Sequence, residues 1–220
     1  RKVRFLTSTS YSKFNKNLHS QMYDIVFVQP FDYVEIADKY GYKPLAMRDK
    51  RLPAILVARS DSQIKSVADL SGKTIGLPPK TAAISYMTKT YLEKKGFVQN
   101  RNVKFVYFRS HFSCMHNVLV NTVDVCGTAP PALRVFKASV LQKLSVIAKT
   151  PTISNLLFAV HPRVSAEEIA RLKSAILSWK NSNNGKVFLS ATKVNAYIDA
   201  KDFYYDQVRE MLKKNKAYMQ

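Results

Sequence analysis

His111, Cys114 and His116 form the closest grouping of side chains that could bind a transition metal. Imidazole and thiolate are ligands that zinc and copper accept readily. On a helix, His111 and Cys114 are three residues apart and share a face, whereas His116 points elsewhere. At most two ligands would then converge, while a zinc site needs three or four. This spacing leaves a metal-binding carrier as an alternative hypothesis rather than the leading one.

Motifs for catalysis are missing from the sequence. It has no G-x-S-x-G elbow, no H-E-x-x-H and no C-x-x-C, the patterns of many hydrolases, metalloproteases and redox proteins. Its six glycines form no glycine-rich loop that could hold a phosphate. We therefore expect a protein that is not an enzyme and that uses no cofactor.

Four loops that lead from a predicted strand into a predicted helix are polar or kinked. They span residues 7–11, 29–33, 77–81 and 109–111. A helix N-terminus offers free N–H groups and a partial positive charge, which suit an anion. Hydroxyls at such positions also serve simply as helix caps. Four polar junctions at equivalent strand ends, with aromatic residues among them, favour a ligand pocket over capping alone.

Short apolar runs alternate with helical patterns along the chain. The patterns predict strands at 3–6, 24–28, 45–47, 54–58, 73–77, 104–108, 123–126, 145–148 and 157–160. They predict helices at 12–21, 33–40, 66–70, 82–95, 114–121, 131–138, 165–178 and 204–214. Such alternation indicates an α/β fold with mostly parallel sheets, in which ligands bind at the carboxyl ends of strands. Since no flexible linker is visible, two lobes would be joined through residues 55–60 and 149–156.

The charge of the chain is strongly positive. Lys and Arg number 35 and Asp and Glu 15, which gives a net charge of +20 over 220 residues. Such a charge attracts anions, nucleic acids and acidic membranes. The basic residues are dispersed and accompany no nucleic-acid-binding motif, so we expect no nucleic-acid partner. No apolar run has the length of a membrane span, so we expect a chain that does not cross a membrane.

Two cysteines, Cys114 and Cys126, are compatible with two states. They could form a disulfide in an oxidising compartment, or both could be buried thiols. Because Cys114 falls in a predicted helix and Cys126 in a predicted strand, we favour buried thiols.

Several segments, taken in chain order, resemble the phosphate-, phosphite- and phosphonate-binding proteins of ABC transporters. Residues 64–76, which include Asp69-Leu70-Ser71-Gly72-Lys73, are very similar to the I-x-S-x-x-D-L-x-G-K signature of type II periplasmic binding proteins. The other matches are residues 23–33 to D-I-A-x-x-G-P-x-x-Y, 110–111 with 123–125 to G-x-H … G-x-V-D-A, 150–155 to S-P-x-I-P, and 202–209 to D-x-x-Y-x-x-V-R. The resemblance covers nearly the whole chain.

The resemblance implies a two-lobed type II periplasmic-binding-protein fold, a Venus flytrap that closes over its ligand. Lobe I would comprise residues 1–57 and 156–220, without its opening strand and helix, and lobe II residues 58–155. The function implied is a periplasmic or otherwise extracytoplasmic receptor, with room for a lipid anchor in a precursor. It would present a small phosphonate- or phosphite-like anion to the permease of an ABC transporter.

The family's binding residues match Tyr11, the junction from Thr81 to Ser85, and His111. The hydroxyl-rich cradle of the family aligns with Ala82-Ala83-Ile84, which have no hydroxyl groups. From junction position we add three further residues to the predicted site, which are Gln29, Phe31 and Thr128. Tyr11 and Phe31 would form walls, His111 would supply positive charge, and the others would donate hydrogen bonds.

Other functions on this fold remain open at the level of sequence. A sensing module of a signalling protein would share the fold and the site. The metal carrier would use His111, Cys114 and His116, and an enzyme would need His111 or Cys114 as base or nucleophile. Fold alone does not choose among these functions.

Overall fold

The structure is a computed structural model that describes residues 3–8 and 10–217. Its strands are β1 (Ile25–Val28), β2 (Lys43–Arg48), β3 (Ile55–Arg59), β4 (Lys73–Leu77), β5 (Val103–Tyr107), β6 (Val125–Thr128), β7 (Leu144–Lys149), β8 (Leu157–Val160) and β9 (Tyr197–Asp199). Its α-helices are α1 (Tyr11–His19), α2 (Pro30–Tyr40), α3 (Ala83–Lys94), α4 (His111–Leu119), α5 (Ala138–Leu141), α6 (Ala166–Leu177), α7 (Asn183–Thr192) and α8 (Asp206–Ala217). Short 3₁₀ turns occupy Val67–Leu70, Pro130–Val135, Trp179–Asn181 and Asp202–Tyr205.

Most of these elements lie where the sequence predicts them, with a few exceptions. The predicted helix at 131–138 is instead a 3₁₀ turn at Pro130–Val135, followed by the short helix α5. No strand forms at residues 3–6, where Val3 and Phe5 are 93% and 86% exposed. The alternating pattern there buries no face, so it does not produce a strand. Helix α7 and strand β9 were not predicted.

Local sequence signals are found at the ends of two helices. Gly41 ends α2 in the left-handed conformation, with φ at 72°, which glycine adopts without steric cost. The Ser165 side chain accepts a hydrogen bond from the Glu168 N–H at the start of α6. These caps fix where α2 and α6 begin or end along the chain.

The chain divides into two compact units, and unit 1 comprises residues 1–50 and 155–206. Its sheet has the order β1-β8-β2-β9, and every neighbouring pair is antiparallel. The prediction of mostly parallel sheets is therefore wrong for this unit. Strand β8 lies between β1 and β2, which run in the same direction, and an apolar run carries no information about strand direction. Helices α6 and α7 pack on this sheet through Ile176 and Leu189.

Unit 2 comprises residues 51–154 and 207–220. Its sheet has the order β5-β4-β6-β3-β7. Strand β4 pairs in parallel with both β5 and β6, whereas β3 is antiparallel to β6 and β7. Because β4, β5 and β6 are parallel, their carboxyl ends lie at one edge of the sheet. Helices α3 and α4 begin just after β4 and β5, at this edge.

The division that we predicted for the two lobes stays a prediction. The compact units divide the chain at 50/51 and 154/155, and residues 207–220 belong to unit 2. Strand β3 pairs along its length with β6 and β7, which is why the first division falls before it. Within the described part of the chain, no helix combines the length and the apolar character that a bilayer crossing requires.

Candidate functional site

The carboxyl edge of the unit 2 sheet carries four of the predicted binding residues. Thr81 lies in the loop between β4 and α3, and Ser85 lies in the first turn of α3. His111 is the first residue of α4, and Thr128 is the last residue of β6. Since β4 is the neighbour of both β5 and β6 in this sheet, the topology gathers these residues at one edge. Ligands in α/β proteins bind at such an edge.

His111 and Thr128 are directly hydrogen-bonded. The His111 Nδ1 atom lies 2.9 Å from the Thr128 Oγ1 atom, and Thr128 is fully buried. Burial lowers the pKa of His111 below its ordinary value of 6.5, since desolvation disfavours the imidazolium form. This shift favours the neutral imidazole over the positive charge that the sequence analysis predicts, and the role of His111 in the site stays a prediction.

A disulfide bond holds the two elements that carry this pair. Cys114 of α4 is bonded to Cys126 of β6 across a sequence separation of 12. Our preference for two buried thiols is therefore wrong, although both residues are indeed fully buried. The sequence shows the separation of the cysteines along the chain but not that α4 packs against β6. A structural disulfide is typical of an oxidising, extracytoplasmic compartment.

The start of α3 differs from that of α4. The N-cap residue of α3 is Ala82, which makes no side-chain hydrogen bond, whereas the Ser110 hydroxyl caps α4 by accepting from the Ser113 N–H. The fully buried Ser85 hydroxyl lies 3.1 Å from the Pro78 carbonyl and 3.0 Å from the Pro79 carbonyl. Its proton is thus directed at the backbone, so Ser85 holds the loop in place. As a ligand contact, Ser85 could act only as a hydrogen-bond acceptor.

Unit 1 contains a second polar cluster, made of Tyr11, Gln29 and Asp32. The Tyr11 hydroxyl donates to Asp32 Oδ2 at 2.7 Å, and the Gln29 amide donates to Asp32 Oδ1 at 2.9 Å. The Gln29 amide also donates to the Tyr11 hydroxyl oxygen. The structure thus brings together two predicted binding residues from separate segments. Phe31 is only 1% exposed, so its ring packs inside the protein, and its predicted role as a wall stays a prediction.

Asp32 is the member of this cluster that our sequence analysis did not select. It is 5% exposed, and burial raises its pKa from 3.8 to about 6, partly offset by the hydrogen bonds from Tyr11 and Gln29. An acidic residue in the first turn of a helix is common, because it interacts well with the helix dipole. For that reason, its type and position do not distinguish it from an ordinary exposed residue.

The metal-carrier hypothesis loses one of its ligands. The Cys114 sulfur is bonded to Cys126 and so is not a thiolate, the form of cysteine that binds metals. Throughout the described ranges, no group of three or more His, Cys, Asp or Glu side chains is arranged to hold a metal ion. The hypothesis built on His111, Cys114 and His116 is therefore wrong.

The positive charge is divided unevenly between the units. Unit 2 has 19 basic and 5 acidic residues, a net charge of +14, and unit 1 has 16 basic and 10 acidic residues, a net charge of +6. The unit that contains His111 and Thr128 therefore carries most of the charge that attracts anions. A net field of this kind increases the rate at which anions arrive.

Comparisons with known proteins identify the family. Residues 1–205 match the family model described as the periplasmic substrate-binding protein of phosphonate ABC transporters. A comparison with curated proteins finds no sequence match.

Solved structures show the same fold at low sequence identity. PhnD1 from Prochlorococcus marinus, solved with methylphosphonate, has a TM-score of 0.85 and 17% identity, covering 98% of this chain and 86% of that one. A phosphonate-transporter binding protein from Pseudomonas aeruginosa has a TM-score of 0.79 and 17% identity, covering 93% and 72%. The aliphatic sulphonate-binding protein SsuA from Escherichia coli has a TM-score of 0.71 and 12% identity, covering 94% and 80%.

The two-sheet α/β architecture is thus that of type II periplasmic binding proteins, as predicted. The family-model match extends over most of the chain and includes both polar clusters described above. The chain belongs to the family of periplasmic substrate-binding proteins of phosphonate ABC transporters, and it is an extracytoplasmic solute-binding receptor.

Proposed function

We propose that this receptor captures a small phosphonate in the periplasm and delivers it to the permease of an ABC transporter. The observation that carries the proposal is the His111–Thr128 pair at the N-terminus of α4. It places an imidazole and a hydroxyl at the strand edge where this fold binds ligands. The family match and the methylphosphonate-bound relative support the choice of ligand.

His111 would act as a neutral hydrogen-bond donor. If Thr128 donates its hydroxyl proton to Nδ1, the imidazole carries its own proton on Nε2, where it can donate to a phosphonate oxygen. The N-terminus of α4 adds a partial positive charge beside it. Local attraction for the anion then comes from oriented dipoles, while the net charge of unit 2 acts at longer range.

Tyr11 and Gln29 of unit 1 would supply further polar contacts. Both have donor groups that the structure already holds in a hydrogen-bonded cluster. Thr81, which is exposed at the start of α3, would add a hydroxyl beside the Ala82-Ala83-Ile84 segment. Phe31 and Ser85 would contribute indirectly, by packing behind these groups.

Isothermal titration with methylphosphonate tests the proposal. The informative variant is His111→Ala, and His116→Ala is its control, because His116 is exposed on the same helix. Loss of one hydrogen bond to a charged ligand should weaken binding about 10- to 150-fold, from about 1.5–3 kcal/mol. The control should bind like the wild type. Equal affinities for the two variants would remove His111 from the site.

The same titration with methanesulfonate addresses the second ligand class that the structural neighbours suggest. SsuA is named as a sulphonate-binding protein, and the tetrahedral head groups of sulfonates and phosphonates have similar shapes. Stronger binding of methanesulfonate than of methylphosphonate at every pH would replace the phosphonate by a sulfonate. A sensing role on the same fold would be supported if the full-length gene encoded a signalling domain.

A further inference from the structure

Asp32 occupies a position that is unusual for a site that binds anions. Its two carboxylate oxygens accept hydrogen bonds from Tyr11 and from Gln29, two of the three predicted ligand contacts of unit 1. The side chain is buried, at 5% exposure. An internal carboxylate therefore already binds the donors that an external oxyanion would use.

The number of protons on Tyr11 and Gln29 shows where a competing ligand would have to lie. The Tyr11 hydroxyl has a single proton, and that proton is directed at Asp32 Oδ2. The Gln29 amide has two protons, which are directed at Asp32 Oδ1 and at the Tyr11 oxygen. A ligand oxygen that took up either donor would have to lie close to the Asp32 carboxyl group.

The charged neighbours of Asp32 would not relieve the repulsion between its carboxylate and a bound anion. Tyr11, on α1, is a hydrogen-bond donor to Asp32. The charged neighbour is Glu35, which lies on the same helix as Asp32 and raises its pKa by charge repulsion. Glu35 in turn lies 3.9 Å from the His19 Nε2 atom. No ion pair between Asp32 and a lysine or arginine is found in the described residues. In such surroundings, an oxygen of the Asp32 carboxylate and an oxygen of an anionic ligand can lie in contact only when a proton lies between them.

We propose that Asp32 couples ligand binding to a proton, so that the buried carboxyl group and the bound oxyanion share one hydrogen. The site would then prefer oxyanions that carry an acidic O–H near neutral pH, such as phosphonates, over fully ionised ones such as sulfonates. This inference rests on the proposed function, since it assumes that Tyr11 and Gln29 contact the ligand.

The source of the shared proton depends on the charge of the ligand. A phosphonate monoanion would bring its own proton, while a phosphonate dianion would bind together with one proton from solvent. Phosphonates, like phosphate monoesters, lose their second proton near neutral pH, whereas sulfonates have no such proton. For a sulfonate the proton must reside on Asp32, whose raised pKa of about 6 makes this accessible in mildly acidic solution but costly at pH 8.

Calorimetry measures the shared proton directly. Methylphosphonate is titrated at pH 8 in two buffers of different ionisation enthalpy, which gives the number of protons taken up per ligand bound. The wild type should take up close to one proton, and Asp32→Asn should take up close to none. Asp38→Asn is the matched control, because Asp38 is exposed on the same helix, and it should behave like the wild type.

Selectivity gives a second measurement that needs no variant. In the wild type, affinity for methanesulfonate should fall about tenfold per pH unit above pH 6, as expected for one linked proton. Equal proton uptake by the wild type and Asp32→Asn, or a pH-independent affinity for methanesulfonate, would overturn the role of Asp32. Absence of methylphosphonate binding by the wild type and both variants at every pH would instead refute the proposed function.

Discussion

The disulfide between Cys114 and Cys126 should stabilise unit 2 and hold in place the hydrogen-bonded pair His111 and Thr128, which we propose contacts the ligand. It closes a loop with a sequence separation of 12, and the chain-entropy relation gives about 3 kcal/mol for such a loop. For a protein of this size, about 3 kcal/mol corresponds to a fall in Tm of about 6 to 12 °C. We expect this fall in the double variant Cys114→Ala/Cys126→Ala, measured by differential scanning calorimetry.

Reduction provides the matched control for this variant. Dithiothreitol should lower the Tm of the wild type to near that of the double variant and should not change the variant itself. The double variant should also bind methylphosphonate more weakly, because His111 lies on the helix and Thr128 on the strand that the disulfide joins. Two free thiols in the denatured, unreduced wild type, or a Tm unaffected by reductant, would show that the bond does not form.

Four further predictions concern single groups and the net charge. Folding raises the pKa of Asp32 from 3.8 to about 6, so the folded state binds more protons than the unfolded state between these pH values. The free energy of unfolding should therefore fall by about 3 kcal/mol as pH rises through this range. Urea titrations should show this fall in the wild type and its loss in Asp32→Asn. Tyr205→Phe should cost about 1 kcal/mol, since its buried hydroxyl donates to the Asn155 carbonyl at 2.9 Å; an unchanged urea midpoint would contradict this. Gly185→Ala should cost about 1–3 kcal/mol or more, because a Cβ there would overlap the Trp179 backbone, and thermal denaturation would show it. Finally, the association rate for methylphosphonate in stopped-flow experiments should fall as salt rises from 10 to 500 mM, because added salt shortens the Debye length and screens the net charge. A rate independent of salt would exclude steering by the net charge.

The sequence predicted the elements of the fold well but not the way they pair. Runs of apolar residues locate strands such as β4 and β8, and caps such as Gly41 locate helix ends. Strand direction depends on where the chain returns, and β8 inserts between β1 and β2 to make the first sheet antiparallel. Helix α7 starts with Asn183, Asn184 and Gly185, which are poor helix formers, and it is stabilised instead by packing on Trp179.

The predicted binding residues show the same difference between what local sequence and tertiary packing reveal. Positions such as His111 and Tyr11 follow from strand-to-helix junctions and from the family motifs. The protonation of His111 depends on how deeply α4 packs, which no local pattern contains. Asp32 falls inside a junction that the sequence marks as polar, but only the structure shows that it is buried and that it accepts hydrogen bonds from Tyr11 and Gln29.

These features together describe an anion receptor whose proposed binding residues carry little formal positive charge. Burial lowers the pKa of His111 in unit 2, which favours its neutral form, and Asp32 in unit 1 tends to be negative near neutral pH. The attraction of anions must then come from oriented donors at close range and from the +14 charge of unit 2 at long range. The rate of anion arrival and the selectivity among anions would then depend on different groups, whereas a buried lysine or arginine would contribute to both. The net charge governs how fast any anion arrives and is weakened by salt. In the proposed site, the hydrogen-bond pattern, including the carboxyl group of Asp32, would govern which anion stays bound, because only a ligand that fits both the donors and the single proton would satisfy every buried polar group.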